Sequence, residues 1–482
     1  MSGNDQAVSG AMAASGRARN GSDSSAAAIS TKAAPDQRTF LGHPRGLAYI
    51  VFAEGWERFS FYGMQALLML YMVGYLLQPG QIEHVAAFTE FRAVVESIFG
   101  PLSLQALASQ IFGLYVGLVY FFPVLGGMLG DRFIGRTRAV VIGAILMAAG
   151  HFMMAFEAAF LFALAALILG SGLLKGNLAA QVGDLYPKND KRRDSAFSMY
   201  CLAINAGAFV APLVCGTLGE LYGWHYGFGA AGIGMLVGIV IYLSGRGYIP
   251  ADKTFDATTS RPKLQPGDGR IVVSLAGVIA ITSLYWAGQT QVWNTYPIWL
   301  RDRVDRGVFD LSIPVTWFQS LDTLAVLALA PLVIWLWKRQ AARGAEPRDL
   351  AKIAIGCVAF ALACVLLGVS EWLSGGATVS VLWPTVFHFM CAIGYLYVWP
   401  ITLALVSRAA PPAVNSTMVG AYYLAIFLGG IFSGWLGRFY EALSPAEFWL
   451  LHGAVVGSGA VLITLMSGVL SRQFAQRPIE AT

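Results

Sequence analysis

Apolar runs of about 20 residues recur from residue 47 to residue 471, parted by short charged or Gly/Pro-rich stretches. Breaking the chain at those stretches predicts spans near 47–78, 104–130, 137–156, 158–184, 196–218, 226–245, 271–299, 312–337, 351–370, 380–407, 413–436 and 447–471. In hydrocarbon only helices or closed barrels satisfy the backbone. Runs this long lack the alternation of barrel strands, about ten residues each. The expected fold is therefore an all-α membrane protein with twelve transmembrane helices. Its longest internal polar stretch, 246–270, carries Pro250, Pro262 and Pro266 and divides the spans six and six. The predicted organisation is a disordered tail over 1–40, a six-helix bundle over 41–245, a linker over 246–270, a second six-helix bundle over 271–472 and a tail over 473–482. The Ala/Ser/Gly-rich first 40 residues have no basic segment leading into an apolar stretch and cleavage site, so no removable signal peptide is expected.

Charge sets the orientation. Of the 32 Lys and Arg residues, 25 fall in alternate connections that would share one side with both termini, and five (Arg92, Arg301, Arg303, Arg306, Arg438) fall on the other. By the positive-inside rule both termini and the linker are cytoplasmic. Composition agrees: 56% of residues are hydrophobic and 12% charged, where a soluble chain carries about 25% charged, which argues against a soluble enzyme. The net charge of +5 is spread in short blocks between spans and gives no reason to expect a nucleic-acid partner. Five cysteines lie inside apolar runs without C-x-x-C spacing, so neither a metal site nor a disulfide framework is expected.

Ionisable residues inside spans cost roughly 2.5–3.5 kcal/mol each on insertion scales, so each requires a reason. Glu54, Glu57 and Arg58 stand at i, i+3 and i+4 of span one, on one helix face where they can pair. At ~1.5 Å per residue Arg58 lies about 17 Å into the membrane and Lys175, nine residues before Asp184, about 14 Å from the same side. Asn205 on span five and Asp322 on span eight reach a similar depth. These groups either neutralise one another as structural glue or line a central polar cavity. In the second case Arg58 and Lys175 would bind an anionic group. Glu54 or Glu57 would take a proton whose binding breaks a carboxylate–Lys175 pair.

Two motifs extend this reading. Gly127, Asp131, Arg132, Gly135 and Arg136, between spans two and three, resemble the glycine-acid-basic loop of the major facilitator superfamily. Glu54-Gly-Trp-Glu57-Arg58-Phe resembles the E-x-x-E-R-F signature of the proton-dependent oligopeptide transporter (POT/PTR) family, a branch of that superfamily. The resemblance continues through Gly172-Leu-Leu-Lys175-Gly-Asn177, Arg192-Arg-Asp-Ser-Ala-Phe197, Ile204-Asn205-Ala-Gly207-Ala-Phe209 and Ile313-Pro-Val-Thr-Trp-Phe-Gln-Ser320. It implies the major facilitator fold, without the two extra helices that many bacterial members insert before span seven. It further implies proton coupling by Glu54, Glu57, Arg58 and Lys175. The peptide carboxylate would meet Arg58 and Lys175, Tyr62, Tyr120 and Asn205 would line the pocket, and Trp286 would pack near the extracellular gate.

The chain departs from the family in its second half. Trp286-Ala-Gly-Gln-Thr290-Gln has Thr290 at the family's glutamate, and Gly394-Tyr395-Leu-Tyr-Val-Trp-Pro400 has Tyr395 where the family's acid holds the peptide amine. Asp322, where the family has asparagine, could take the amine or a proton, or pair with a donor such as Asn205. The histidines His151, His225, His388 and His452 share no spacing with another ligand and are expected to be structural. No catalytic or nucleotide-binding motif occurs, so no enzyme is expected and the only coupling partner is the proton. The leading expectation is a monomeric proton-coupled symporter of the cell (inner) membrane that imports di- and tripeptides or peptide-like molecules by alternating access. Its alternative in the same fold is a carrier for an anionic non-peptide solute, and a membrane sensor or intramembrane enzyme ranks third.

Overall fold

The computed structural model describes residues 39–187, 189–252, 263–308 and 311–474. Nearly all of the predicted N-terminal tail, the middle of the predicted linker and the last eight residues lie outside that range. The described chain is almost wholly helical: α1 (Arg45–Tyr71), α2 (Phe88–Phe99), α3 (Leu104–Leu129), α4 (Arg136–Met153), α5 (Phe160–Asp184), α6 (Arg192–Ala211), α7 (Thr217–Leu221), α8 (Trp224–Ser244), α9 (Asp268–Gln291), α10 (Tyr296–Arg303), α11 (Trp317–Ala342), α12 (Asp349–Ser374), α13 (Leu382–Ala409), α14 (Asn415–Gly437) and α15 (Pro445–Phe474). Eleven helical segments among the described residues are long and apolar enough to cross a membrane. The predicted third span, α4, is not among the eleven, because Arg136, Arg138 and His151 lower the apolarity of its 18 residues. It nonetheless packs along α5 and α8 like its neighbours.

Each half closes on itself. In the first, α1 packs on α6 and α8, α4 on α5 and α8, and α3 on α5. In the second, α12 packs on α13 and α15, α9 on α14 and α15, and α11 on α13. Contact between the halves runs through α3 against α14 and α6 against α11, which leaves α1, α5, α9 and α13 to present side chains toward the middle. Side chains such as Ile233, Val240, Leu332, Leu465 and Val469 are exposed on the outer faces. An apolar belt of this kind suits lipid and would be unstable in water.

Three local departures from the uniform spans have physical causes. The predicted loop after span one contains α2, an amphipathic helix that buries Phe88 and Val95 and exposes Val94 and Ile98. Predicted span seven breaks after Gln291: Pro297 cannot donate an N–H, so the chain turns through Val292–Thr295 and restarts as α10. Pro212 does the same to span five, which passes through a wide π-helical turn, Pro212–Gly216, into α7.

The glycine-acid-basic loop is a knot of polar contacts at one end. Arg136 bonds Asp131 at 2.7 Å and also pairs with Asp184 at the end of α5. Gly135 has φ +84, a conformation glycine adopts without strain. Next to it, the backbone N–H and hydroxyl of Thr137 donate to Asp252, which ties the chain after α8 to α4.

Candidate functional site

Span one places its three charges as their spacing requires. Arg58 Nε donates to Glu54 Oε1 at 2.7 Å and stands 3.2 Å from Glu57 Oε2. Both carboxylates are fully buried, and Arg58 retains 11% exposure. α6 packs closely on this turn: a Cβ at Gly207 would strike the Gly55 carbonyl and the Arg58 stem. Tyr200, on the same helix, lies beside Glu54.

Lys175 enters from α5. Its side chain is 9% exposed, its Nζ stands 3.6 Å over the Phe61 ring and 5.3 Å from the Tyr120 ring, and it has no hydrogen-bond partner among the described residues. The expected carboxylate–Lys175 pair is thus absent here. Both glutamates are taken by Arg58, a neighbour on their own helix, and the amine rests on aromatic faces, which suit a cation. Such a nitrogen is a donor awaiting an acceptor.

The other predicted residues divide. Tyr62 packs 5.5 Å from Trp293 of the second half, and Tyr120 lies 6.5 Å from Tyr423, so both line the boundary between halves. Tyr395 is within electrostatic range of Tyr62 and Tyr120, and it stacks on Trp399 at 6.4 Å. Trp286 meets Tyr395 and Trp399 edge-on at 6.5 and 5.4 Å. It forms part of an aromatic wall and takes no part in the hydrogen bonds that join the halves at one end. The amide of Asn205 donates to Cys201 of its own helix at 2.8 Å.

Asp322 has a partner that the sequence did not reveal. His388, expected to be structural, places Nδ1 3.5 Å from Asp322 Oδ1 and Nε2 3.0 Å from the Tyr296 hydroxyl. The histidine is completely buried and the aspartate 17% exposed. His388 lies seven residues before Tyr395 on α13, two helical turns away on the same face. That spacing was the available signal.

The halves are hydrogen-bonded to each other at the end opposite the α1 N-terminus. Glu220 of α7 accepts from the backbone N–H groups of Val315 and Thr316 and from the Thr316 hydroxyl at 2.7–2.9 Å. Trp317 donates to Thr217, Ser320 to the Phe209 carbonyl, and Arg438 to the carbonyls of Phe99 and Pro101. The charged cluster and the aromatic wall lie below this closure.

Comparison with known proteins places this arrangement. The model of the POT family matches residues 137–259 and 251–450. The chain is 31% identical to the peptide transporter YePEPT of Yersinia enterocolitica, over 90% of this chain and 96% of that one. The chain belongs to the POT family. It is also 27% identical to a di-/tripeptide transporter of Lactococcus lactis subsp. cremoris, covering 90% of this chain and 97% of the relative. Among solved structures, this POT-family chain is similar to a peptide transporter POT crystallised with sulfate (TM-score 0.79, 27% identity, 91% of this chain and 97% of that one). A mutant of a peptide transporter POT in complex with alafosfalin matches at TM-score 0.78 and 28% identity over the same shares of the two chains. The family, the relatives and the helical architecture agree in making this a multi-pass membrane transporter.

Proposed function

We propose that the protein is a proton-coupled symporter that carries di- and tripeptides or peptide-like molecules inward across the cell membrane, the inner membrane where there are two. In this reading α4 is the twelfth span, both termini are cytoplasmic, and residues 41–245 and 271–472 are two six-helix units joined by the 246–270 linker and working as a monomer. The observation that carries the proposal is Lys175: a buried amine without a hydrogen-bond acceptor, near the Glu54–Glu57–Arg58 cluster and facing Tyr120 at the boundary between the halves. Solvating such a group is worth more than the contacts it now makes. A substrate carboxylate seated between Lys175 and Arg58 supplies the acceptor. Arg58 would exchange part of its hold on the glutamates for the carboxylate, and a proton on Glu57 or Glu54 would offset the charge the arginine no longer balances. The aromatic wall of Trp286, Tyr395 and Trp399 offers apolar faces with polar tips, which tolerate varied side chains.

The peptide and di-/tripeptide transporters among the relatives support the substrate class, and the neighbour with bound alafosfalin supports a site that accepts peptide-like molecules. The test is uptake of labelled dialanine into proteoliposomes under an inward proton gradient. Accumulation that collapses with an uncoupler is expected; no uptake under either condition overturns the reading.

A second reading, a carrier for an anionic solute without a free amine, is favoured by one observation. Tyr395 stands where the family's amine-binding acid is expected and is stacked into the aromatic wall. An amine-blocked dipeptide decides between the two: equal competition with the free dipeptide supports the second reading, and poor competition the first.

A further inference from the structure

Apart from the cluster on α1 and α5, a set of ionisable groups meets among the described residues of the second half: Asp322 on α11, His388 on α13 and Tyr296 on α10. We propose that Asp322 and His388 form a second proton-binding site, with the Tyr296 hydroxyl as its adjustable third member. The inference rests on reading the chain as a proton-coupled carrier and adds a site in the half of the protein that the Glu54–Glu57–Arg58 cluster does not reach.

The geometry supplies the argument. A carboxylate in this position needs a counter-charge, and its partner within 4 Å is an imidazole, which is positive only after gaining a proton. The pair therefore carries one net negative charge or none, and the difference is one proton. An N–H bond forms on the imidazole, or an O–H bond on the carboxyl, and no covalent bond breaks. His388 is completely buried, and Asp322, at 17% exposure, is the side of the pair that meets the boundary between the halves. Protons would enter and leave through the aspartate.

Tyr296 makes both states acceptable. With neutral His388, the Tyr296 O–H donates to Nε2 and Nδ1 lies 3.5 Å from Asp322. With imidazolium, Nε2–H donates and the hydroxyl oxygen accepts across the same 3.0 Å. A hydroxyl can reverse in place, so Nε2 keeps its hydrogen bond in either state, while Nδ1 faces Asp322 at 3.5 Å without a hydrogen bond. The other titratable groups near the pair are Tyr62 on α1, Tyr285 on α9, and Cys391 and Tyr395 on α13, with Cys364 of α12 beyond Cys391. These are phenols and thiols, which are uncharged at ordinary pH, so none supplies Asp322 with a standing cation.

The direct test is the protonation of His388 in the purified full-length protein in lipid, read from isotope-labelled histidine resonances that a His388→Gln protein serves to assign. In the wild type the His388 signal is expected to change from the neutral to the charged form as protons are added. In Asp322→Asn that change is expected to be lost. A His388 that stays neutral throughout, or titrates identically with and without Asp322, overturns the proposal. Should Asp322→Asn fail to fold, His388→Gln carries the test through coupling. One proton fewer per substrate lowers the attainable accumulation about ten-fold for each unit of imposed pH difference, while exchange without a gradient persists. Unchanged accumulation in a folded His388→Gln protein overturns the pair's role. Failure of the wild type to accumulate dialanine, with His388 still titrating through Asp322, would sink the transport reading and leave the proton site standing.

Discussion

At the scale of single residues, the balance in the first half is one of three charges against a fourth that is left over. Arg58 stands 2.7 and 3.2 Å from Glu54 and Glu57, one positive charge shared by two carboxylates, and Lys175 balances the trio from a distance while its amine makes no hydrogen bond to a described residue and can give one to something else. If that something is the substrate carboxylate and the proton it travels with, Lys175→Ala should abolish uphill accumulation under a proton gradient. Uptake in proteoliposomes checks this, and a variant that still concentrates substrate would remove Lys175 from the coupling scheme. The Glu54–Glu57–Arg58 cluster was legible in the sequence because its geometry is local: residues three and four apart on one helix meet whatever the fold. Whether Lys175 joins a glutamate or an aromatic face depends on how far α5 stands from α1, and no local spacing encodes that. The same holds for His388, whose partners Asp322 and Tyr296 come from two other helices.

At the scale of elements, the boundaries that sequence reading blurred are the ones where a helix stops for a reason other than leaving the membrane. Span seven looks continuous because no charged residue interrupts it between Arg270 and Arg301, yet Pro297 divides it. The short α10 is then held by specific contacts. Trp299 Nε1 donates to Glu371 Oε1, and Arg303 forks onto the same carboxylate from 2.7 to 3.2 Å, which pins α10 to the end of α12. Glu371 is 3% exposed. Glu371→Ala should leave a buried indole N–H without an acceptor, at a cost of about 1–3 kcal/mol. Thermal unfolding in detergent should show the loss. An unchanged midpoint would mean that apolar packing of Trp299 against Tyr296 and Trp449 places α10 by itself. The amphipathic α2 was missed for a related reason: its apolar residues form a stripe too narrow to read as a span, and only its burial of Phe88 and Val95 shows what the stripe is for.

At the scale of the whole molecule, the charge bias, the break at 246–270 and the signature on span one predict two groups of helices about a central site, and α3 packs on α14 and α6 on α11. Which end is shut could not be read from one sequence, because every conformation of an alternating carrier is built from the same residues. Here Glu220 accepts three hydrogen bonds across the closure. Three donors from the start of α11 converge on its carboxylate, and nothing within α11 itself could satisfy those first backbone N–H groups. Hydrogen bonds to a charged group contribute about 1.5–3 kcal/mol each, so losing even one equivalent shifts an open–closed ratio by roughly ten-fold or more. Glu220→Ala should therefore populate the state open at this end. Ser320, 2% exposed and bonded across the boundary to the Phe209 carbonyl, is a suitable reporter. In a protein whose native cysteines are replaced, Ser320→Cys should react slowly with a membrane-impermeant maleimide applied from the closed end, and several-fold faster once Glu220→Ala is added. Equal rates would mean that the close packing of α3 on α14, where Gly113 meets Gly434, keeps this end shut without the carboxylate.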